Sequence, residues 1–193
     1  VLEKNKLDGI DLDFEWAENE KEYKDYSLAI LKMREVLGDK YLFSVSLHPV
    51  CYKISKEAIE AVDFISLQCY GPSPVRFPVE KYCSDIQMVL EYGIPKEKLV
   101  AGVPFYGVTK DNSKKTEAYF NFVQNGLVTS PAQNEVIYQG DTYVFDGQDN
   151  IRIKTRYAKE QKLKGMMSWD LATDLPLSDS RSLLKTMTEE LRE

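Results

Sequence analysis

The chain has 193 residues, 43% of them hydrophobic, with 25 basic and 31 acidic side chains for a net charge of −6. That is enough apolar matter for one domain's core, and it gives no electrostatic basis for gripping nucleic acid or anionic lipid. No apolar run reaches the roughly 18 residues of a membrane-spanning helix, and no secretory leader opens the chain. A first residue of Val1 rather than Met reads as a processed or excised piece. Cys51, Cys69 and Cys83 are too few for a disulfide framework, which leaves one bridge with a free thiol, or none. Cys69 is expected to act as a small hydrophobe on the buried back of a strand.

In chain order the first element is residues 7–16, Leu-Asp-Gly-Ile-Asp-Leu-Asp-Phe-Glu-Trp, read as a strand. Successive strand side chains alternate between faces, so Asp11, Asp13 and Glu15 share one side and Ile10, Leu12, Phe14 and Trp16 the other. Three carboxylates in a row oppose one another's ionisation. A solvated strand gains nothing from this, whereas a catalytic face needs one carboxyl protonated and another ionised near neutral pH. The bland alternative is a buried strand with a solvated acidic side.

Tyr23, Tyr26, Ile30, Met33 and Leu37 form one face of a helix over 20–37, closed by Gly38. A strand over 41–48 sets Phe43, Val45 and Leu47 opposite Ser44, Ser46 and His48, and Ser55 is a candidate N-cap for a short helix. In the strand over 63–70, Phe64, Ser66, Gln68 and Tyr70 face one way and Ile65, Leu67 and Cys69 the other. A helix over 79–92 ends at Gly93, and a strand spans 99–106. Between 108 and 149 the sequence predicts a helix near 115–125 and a hairpin, 136–139 with 142–145, turning on Gly140-Asp141. A helix over 150–163, a strand over 165–170 and a closing helix over 180–192 complete the chain. Strands alternating with helices argue a parallel sheet with crossover helices. No repeat, linker or low-complexity run divides the domain.

The opening stretch resembles the Asp-x-x-Asp-x-Asp-x-Glu signature of glycoside hydrolase family 18, the chitinase family, matching it at Asp8, Asp11, Asp13 and Glu15. Four later stretches resemble further blocks of that family in order: 45–47, 63–70, 102–107 and 165–169. The resemblance implies a (β/α)₈ TIM barrel whose strands 4–8 lie in this chain. A full barrel needs eight strands and typically about 250 residues. Only five are legible, so the first three βα units are expected to be missing, either cut off or supplied by another chain. A complete smaller fold of five strands is the alternative. The domain is thus read as residues 1–193 of a partial barrel with a hairpin insertion at about 127–147, no large α+β lid, and a shallow, open groove.

By this resemblance the protein is a retaining hydrolase of β-1,4-linked N-acetylglucosamine polymers that uses substrate assistance. Glu15 would be general acid and then base, Asp13 would hold the acetamido N–H, and Asp11 would share a proton or hydrogen bond with Asp13. Tyr70 would donate to the acetamido oxygen, and Trp169 would floor the reacting sugar with an aromatic face. Gln68 and Tyr106 are the remaining candidate substrate-binding residues, with Tyr106 readable either as lining the cleft or as plugging the barrel. The expected partner is an N-acetylglucosamine oligosaccharide or polysaccharide, and the expected location is outside the cytoplasm: secreted, periplasmic or cell-surface. No Cys/His cluster suggests a metal, no Gly-rich phosphate loop is present, and no cofactor is expected.

Three residue readings remain. His48 is expected to be a hydrogen-bonded interior residue rather than a catalyst. Tyr138, Tyr143 and Phe145 are expected to pack the hairpin, with sugar contact as the alternative. Where the family's sixth-strand block usually continues from Tyr into Asp or Asn, this chain has Gly71. Two other functions share the motif or the fold: an endo-β-N-acetylglucosaminidase acting on N-glycans, and a non-catalytic chitin-binding lectin.

Overall fold

The helices begin and end on the residues that their sequences offer. In the computed structural model, which describes residues 1–192, α1 spans Leu2–Asn5, β1 Gly9–Asp13 and α2 Glu20–Leu37. Asn19 caps α2 by accepting the Glu22 N–H at 3.0 Å, and the Glu22 carboxylate accepts the Glu18 N–H at 2.7 Å. Gly38 ends the helix at φ 58°, a backbone region that costs glycine little. β2 spans Leu42–Leu47, and α3, Lys56–Ala61, starts from Ser55, whose hydroxyl accepts the Ala58 N–H. β3 is Phe64–Leu67, α4 Val79–Tyr92 and β4 Leu99–Pro104.

The parallel sheet runs β1-β2-β3-β4-β9, where β9 is Gly165–Trp169. Its registers include Asp11↔Ser44, Asp13↔Ser46, Ser46↔Ser66 and Gly102↔Met167. One face is apolar: Phe43, Val45, Leu47, Ile65, Leu67, Ala101 and Val103 are buried there together with Ile30, Ala58, Ile86, Val89 and Ile151 from the helices. Each fully buried Ile, Val or Leu in such a layer contributes about 1.5–3 kcal/mol relative to exposure. Cys69 lies in the same core at 0% exposure, and all three cysteines are free thiols. The other face carries Asp11, Asp13, Ser44, Ser46, Ser66 and Gln68.

The sheet does not close. β1 and β9 are its edges, and Ile10, Phe14 and Trp169 are 39%, 46% and 54% exposed along them. The α/β architecture with five parallel strands in chain order is as expected, while a closed ring is not present among the described residues.

The segment between β4 and β9 is larger than a hairpin. β5 (Tyr106–Thr109), β6 (Thr116–Ala118), β7 (Glu135–Tyr138) and β8 (Asp141–Val144) form an antiparallel sheet in the order β6-β5-β8-β7, with α5 (Tyr119–Gln124) beside it. The expected hairpin is only β7–β8, and it turns on Gln139-Gly140, both at positive φ, one residue before the expected Gly140-Asp141, because Asp141 pairs with Tyr138. The strand expected over 99–106 breaks at Phe105, and Tyr106 enters the second sheet. The helix expected near 115–125 keeps only its second half, because Thr116–Ala118 pairs with β5 instead. Phe122 packs against Tyr138, Tyr143 and Phe145 with centroids 5.9, 5.4 and 5.4 Å apart, so those aromatics serve the insertion's own core. With a four-stranded sheet there, the premise for a shallow, open groove no longer holds. Two helices finish the chain: α6, Gln148–Glu160, and α7, Leu183–Arg192.

Candidate active site

The acidic strand places its carboxylates on the polar face by register. Asp11 lies opposite Ser44 and accepts hydroxyl hydrogen bonds from Ser44 at 2.5 Å and Ser46 at 2.8 Å. Asp13 lies one pleat further along and accepts from the Gln68 amide at 3.0 Å. Burial and the neighbouring Asp11 charge push the Asp13 carboxyl above the ordinary Asp range, against the opposing pull of Gln68. Ser44 and Ser46 were not singled out as site residues by the sequence. The signal was present in their alternation on β2, but only the β1–β2 register shows which carboxylate they serve.

Beyond Asp13 the chain leaves the ladder, and strand alternation no longer dictates direction. Glu15 reaches a cleft of about 450 Å³ also lined by Asp13, Trp16, His48, Gln68, Tyr70, Tyr106 and Trp169. Trp16 is a correction: alternation puts it on the back with Leu12, yet it lines the cleft with its ring 5.1 Å from His48. Phe14 turns outward against Tyr26, centroids 5.2 Å apart.

The far wall is aromatic. Tyr70 donates to Met167 Sδ at 3.5 Å, and burial raises its phenol well above the usual tyrosine range. Tyr106 stands edge-on to Tyr70 at 6.4 Å and donates to the Gly71 carbonyl at 3.2 Å, so it both lines the cleft and braces the loop after β3. Trp169, at the carboxyl end of the edge strand β9, leaves 54% of its surface open and lines the cleft.

Two glycines shape this wall. A Cβ at Gly102 would come within 2.8 Å of the Leu67 carbonyl oxygen and 2.9 Å of the Tyr70 ring. Gly102→Ala is therefore expected to displace Tyr70 and to cost about 1–3 kcal/mol, checked by urea denaturation. At Gly71 a Cβ would meet His48 Nε2 at 3.8 Å and Arg76 Cγ at 3.9 Å, ordinary van der Waals contact.

The structure thus brings Asp13, Glu15, Gln68, Tyr70, Tyr106 and Trp169 to one cleft, with Asp11 behind Asp13. The family model described as Glycosyl hydrolases family 18 matches residues 1–174. The chain belongs to that family.

Among relatives of this family 18 chain, "Probable chitinase 2" of Drosophila melanogaster is 23% identical over 237 residues, spanning 90% of this chain and 49% of that protein. Chitinase A1 of Niallia circulans is 23% identical, with 90% of this chain and 36% of the relative covered. The chain therefore spans about half or less of the length of these relatives. Among solved structures, the chitinase ChiB of Flavobacterium johnsoniae superposes with a TM-score of 0.79 at 28% identity, covering 98% of this chain and 62% of that one. A plant class V chitinase mutant from Cycas revoluta, solved in complex with (GlcNAc)3, has a TM-score of 0.82 at 16% identity, covering 99% and 70%, a likeness of fold.

Proposed function

We propose that this chain is the greater part of the catalytic domain of a retaining glycoside hydrolase that cleaves β-1,4-linked N-acetylglucosamine polymers. The observation that carries the reading is one cleft holding Glu15 beside Asp13, whose carboxyl is held between Asp11 and the Gln68 amide, opposite an exposed Trp169. The Cycas revoluta relative of this fold was solved with (GlcNAc)3, which supports the ligand class.

The roles are those that membership of the family implies, and the meeting of these residues at one cleft supports them. Glu15 protonates the glycosidic oxygen as the bond to C1 breaks, and the substrate's own acetamido oxygen closes on C1 to give an oxazolinium ion. Asp13 accepts the acetamido N–H and so aims that oxygen, and Tyr70 donates to it. The ionised Glu15 then takes a proton from water, which attacks C1 and reopens the ring; two inversions give net retention. Asp11, held by two serine hydroxyls, keeps Asp13's carboxyl less ionised than a solvated one. Trp169 offers a face to the C–H side of the reacting sugar, and Gln68 and Tyr106 line the substrate's cleft while holding the Asp13 carboxylate and the Gly71 loop respectively.

The five parallel strands are read as strands 4–8 of a barrel, with three βα units from outside these residues completing the ring. That reading rests on the two open edges and on the 62–70% coverage of solved relatives. Enzymes of this substrate class act on extracellular polymer, so a secreted, periplasmic or cell-surface location fits; no described helix is long and apolar enough to cross a membrane.

Tetra-N-acetylchitotetraose and a high-mannose glycopeptide, offered in parallel with product anomers read by NMR, test the function. Cleavage of the oligomer to β-anomeric products is expected, with the glycopeptide untouched. Cleavage of the glycopeptide alone would assign the N-glycan activity. Binding of the oligomer without turnover would make the protein a lectin, like the fold neighbour described as a chitinase-like agglutinin from Robinia pseudoacacia, which is 19% identical with a TM-score of 0.73.

A further inference from the structure

The segment that carries Glu15 is not held by strand pairing. The β1–β2 ladder ends at Asp13↔Ser46, and residues 14–18 have no regular structure. What flanks Glu15 is ring packing: Phe14 on Tyr26 on the outer side, and Trp16 on His48 on the cleft side, the latter pair tilted by 54°.

His48 is one residue past the end of β2, and both of its ring nitrogens are engaged. Nδ1 lies 3.2 Å from the Val50 backbone nitrogen, whose N–H can only donate. Nε2 lies 3.0 Å from the Tyr70 carbonyl oxygen, which can only accept. Those partners allow one assignment: Nδ1 bare, Nε2 carrying the hydrogen, and the ring neutral. The same imidazole thus joins the end of its own β2 to the segments leaving two neighbouring strands: the one after β3 through the Tyr70 carbonyl, and the one after β1 through Trp16.

We propose that His48 is a positioning residue, a neutral strut that fixes the separation between the Glu15 carboxyl and the Tyr70 hydroxyl. The proposal rests on the roles given to Glu15 and Tyr70 above and adds a residue that the motif does not contain. A proton on Nδ1 would meet the Val50 N–H, donor against donor, and release that turn. Burial is the largest influence keeping the ring neutral, and Arg76 and Lys81 add to it, against the hydrogen bond to the Tyr70 carbonyl and the charge of Asp85, both of which favour the protonated ring. Asp13 at the end of β1 and Glu15 just beyond it line the same cleft, while Tyr70, in the loop after β3, stays a neutral phenol. The folded pKa therefore lies below the ordinary histidine value of about 6.5. A depressed histidine pKa means that the unfolded chain binds the proton first. This stabilisation is complete above about pH 6.5 and declines as pH falls below it.

His48 is the only histidine in the chain, so its imidazole signals are unambiguous. In ¹⁵N NMR of the unaltered protein the Nε2–H tautomer is expected, with a titration midpoint below about 6.5. An Nδ1–H tautomer, or a midpoint at or above that value, overturns the proposal with no substitution made. In kinetics on the chitotetraose, His48→Phe keeps a ring for Trp16 but loses both hydrogen bonds. It is expected to lower kcat by about 10- to 100-fold with KM nearly unchanged. His48→Gln restores a donor for the Tyr70 carbonyl and is expected to recover part of kcat. A kcat for His48→Phe equal to that of the unaltered protein overturns the strut. Full turnover by Glu15→Gln would instead overturn the assignment of the acid, which separates the two failures.

Discussion

Glu15→Gln is expected to lower turnover of N-acetylglucosamine oligomers by about 100- to 10,000-fold, the range spanned by a positioned general acid–base. The amide matches the carboxyl in shape but can neither deliver a proton to the leaving oxygen nor take one from water. Because the cleft's aromatic wall and the Asp13–Gln68 pair are untouched, affinity for the trimer of N-acetylglucosamine should persist while kcat collapses. Isothermal titration of the variant alongside steady-state rates checks both halves. Loss of binding together with rate would mean that Glu15 shapes the cleft rather than the chemistry. The pH profile carries a second signature. Asp13 loses its proton only above the ordinary Asp range, because burial and the Asp11 charge both disfavour its carboxylate. The acid limb of kcat/KM should therefore lie at higher pH than a solvated Asp would set, and Asp11→Asn should move it down.

Lys154→Met is expected to destabilise the protein by about 3–5 kcal/mol, because it strands a buried charge. Lys154 and Asp146 are both fully buried, with their ion-pair contact at 2.5 Å. Lys154 also donates to the Phe77 carbonyl at 2.8 Å and lies 5.5 Å from the centre of the Tyr82 ring. Without it, Asp146 keeps only the Asn150 amide at 3.1 Å. The damage reaches the cleft, since Phe77 packs edge-on to Tyr106 at 6.3 Å, and Tyr106 braces Gly71. Denaturant midpoints at an unchanged m-value measure the effect, and Lys154→Met combined with Asp146→Leu should recover much of it. A loss below about 1 kcal/mol, the range of a solvated surface pair, would mean that water reaches this one.

The motif and the order of elements were legible before any coordinates. Asp11 and Asp13 share a face because strand geometry repeats every two residues, and α4 runs from Val79 to Tyr92 because a 3.6-residue apolar period ends at a glycine. Alternating helical and strand periods placed five parallel strands in their observed order. These features depend on neighbours a few residues apart, and so local sequence specifies them.

Contacts between distant residues decided the rest. Trp16 faces the cleft because the ladder stops at Asp13, and where a ladder stops depends on its partner strand. Ser44 and Ser46 hold Asp11 only through the register of β1 on β2. The insertion between β4 and β9 is a four-stranded sheet because β5 finds β8 more than 30 residues away, and turn chemistry around Gly140 could announce only the inner hairpin, one residue out of place. Lys154 on α6 is buried because the Phe77 carbonyl and the Asp146 carboxylate, both outside that helix, meet its ammonium. Sequence by itself determined which chemical groups this protein carries and, within the paired stretches of each strand, which side they occupy. Tertiary structure decided which of them meet, because register and burial depend on pairing partners that no local period encodes.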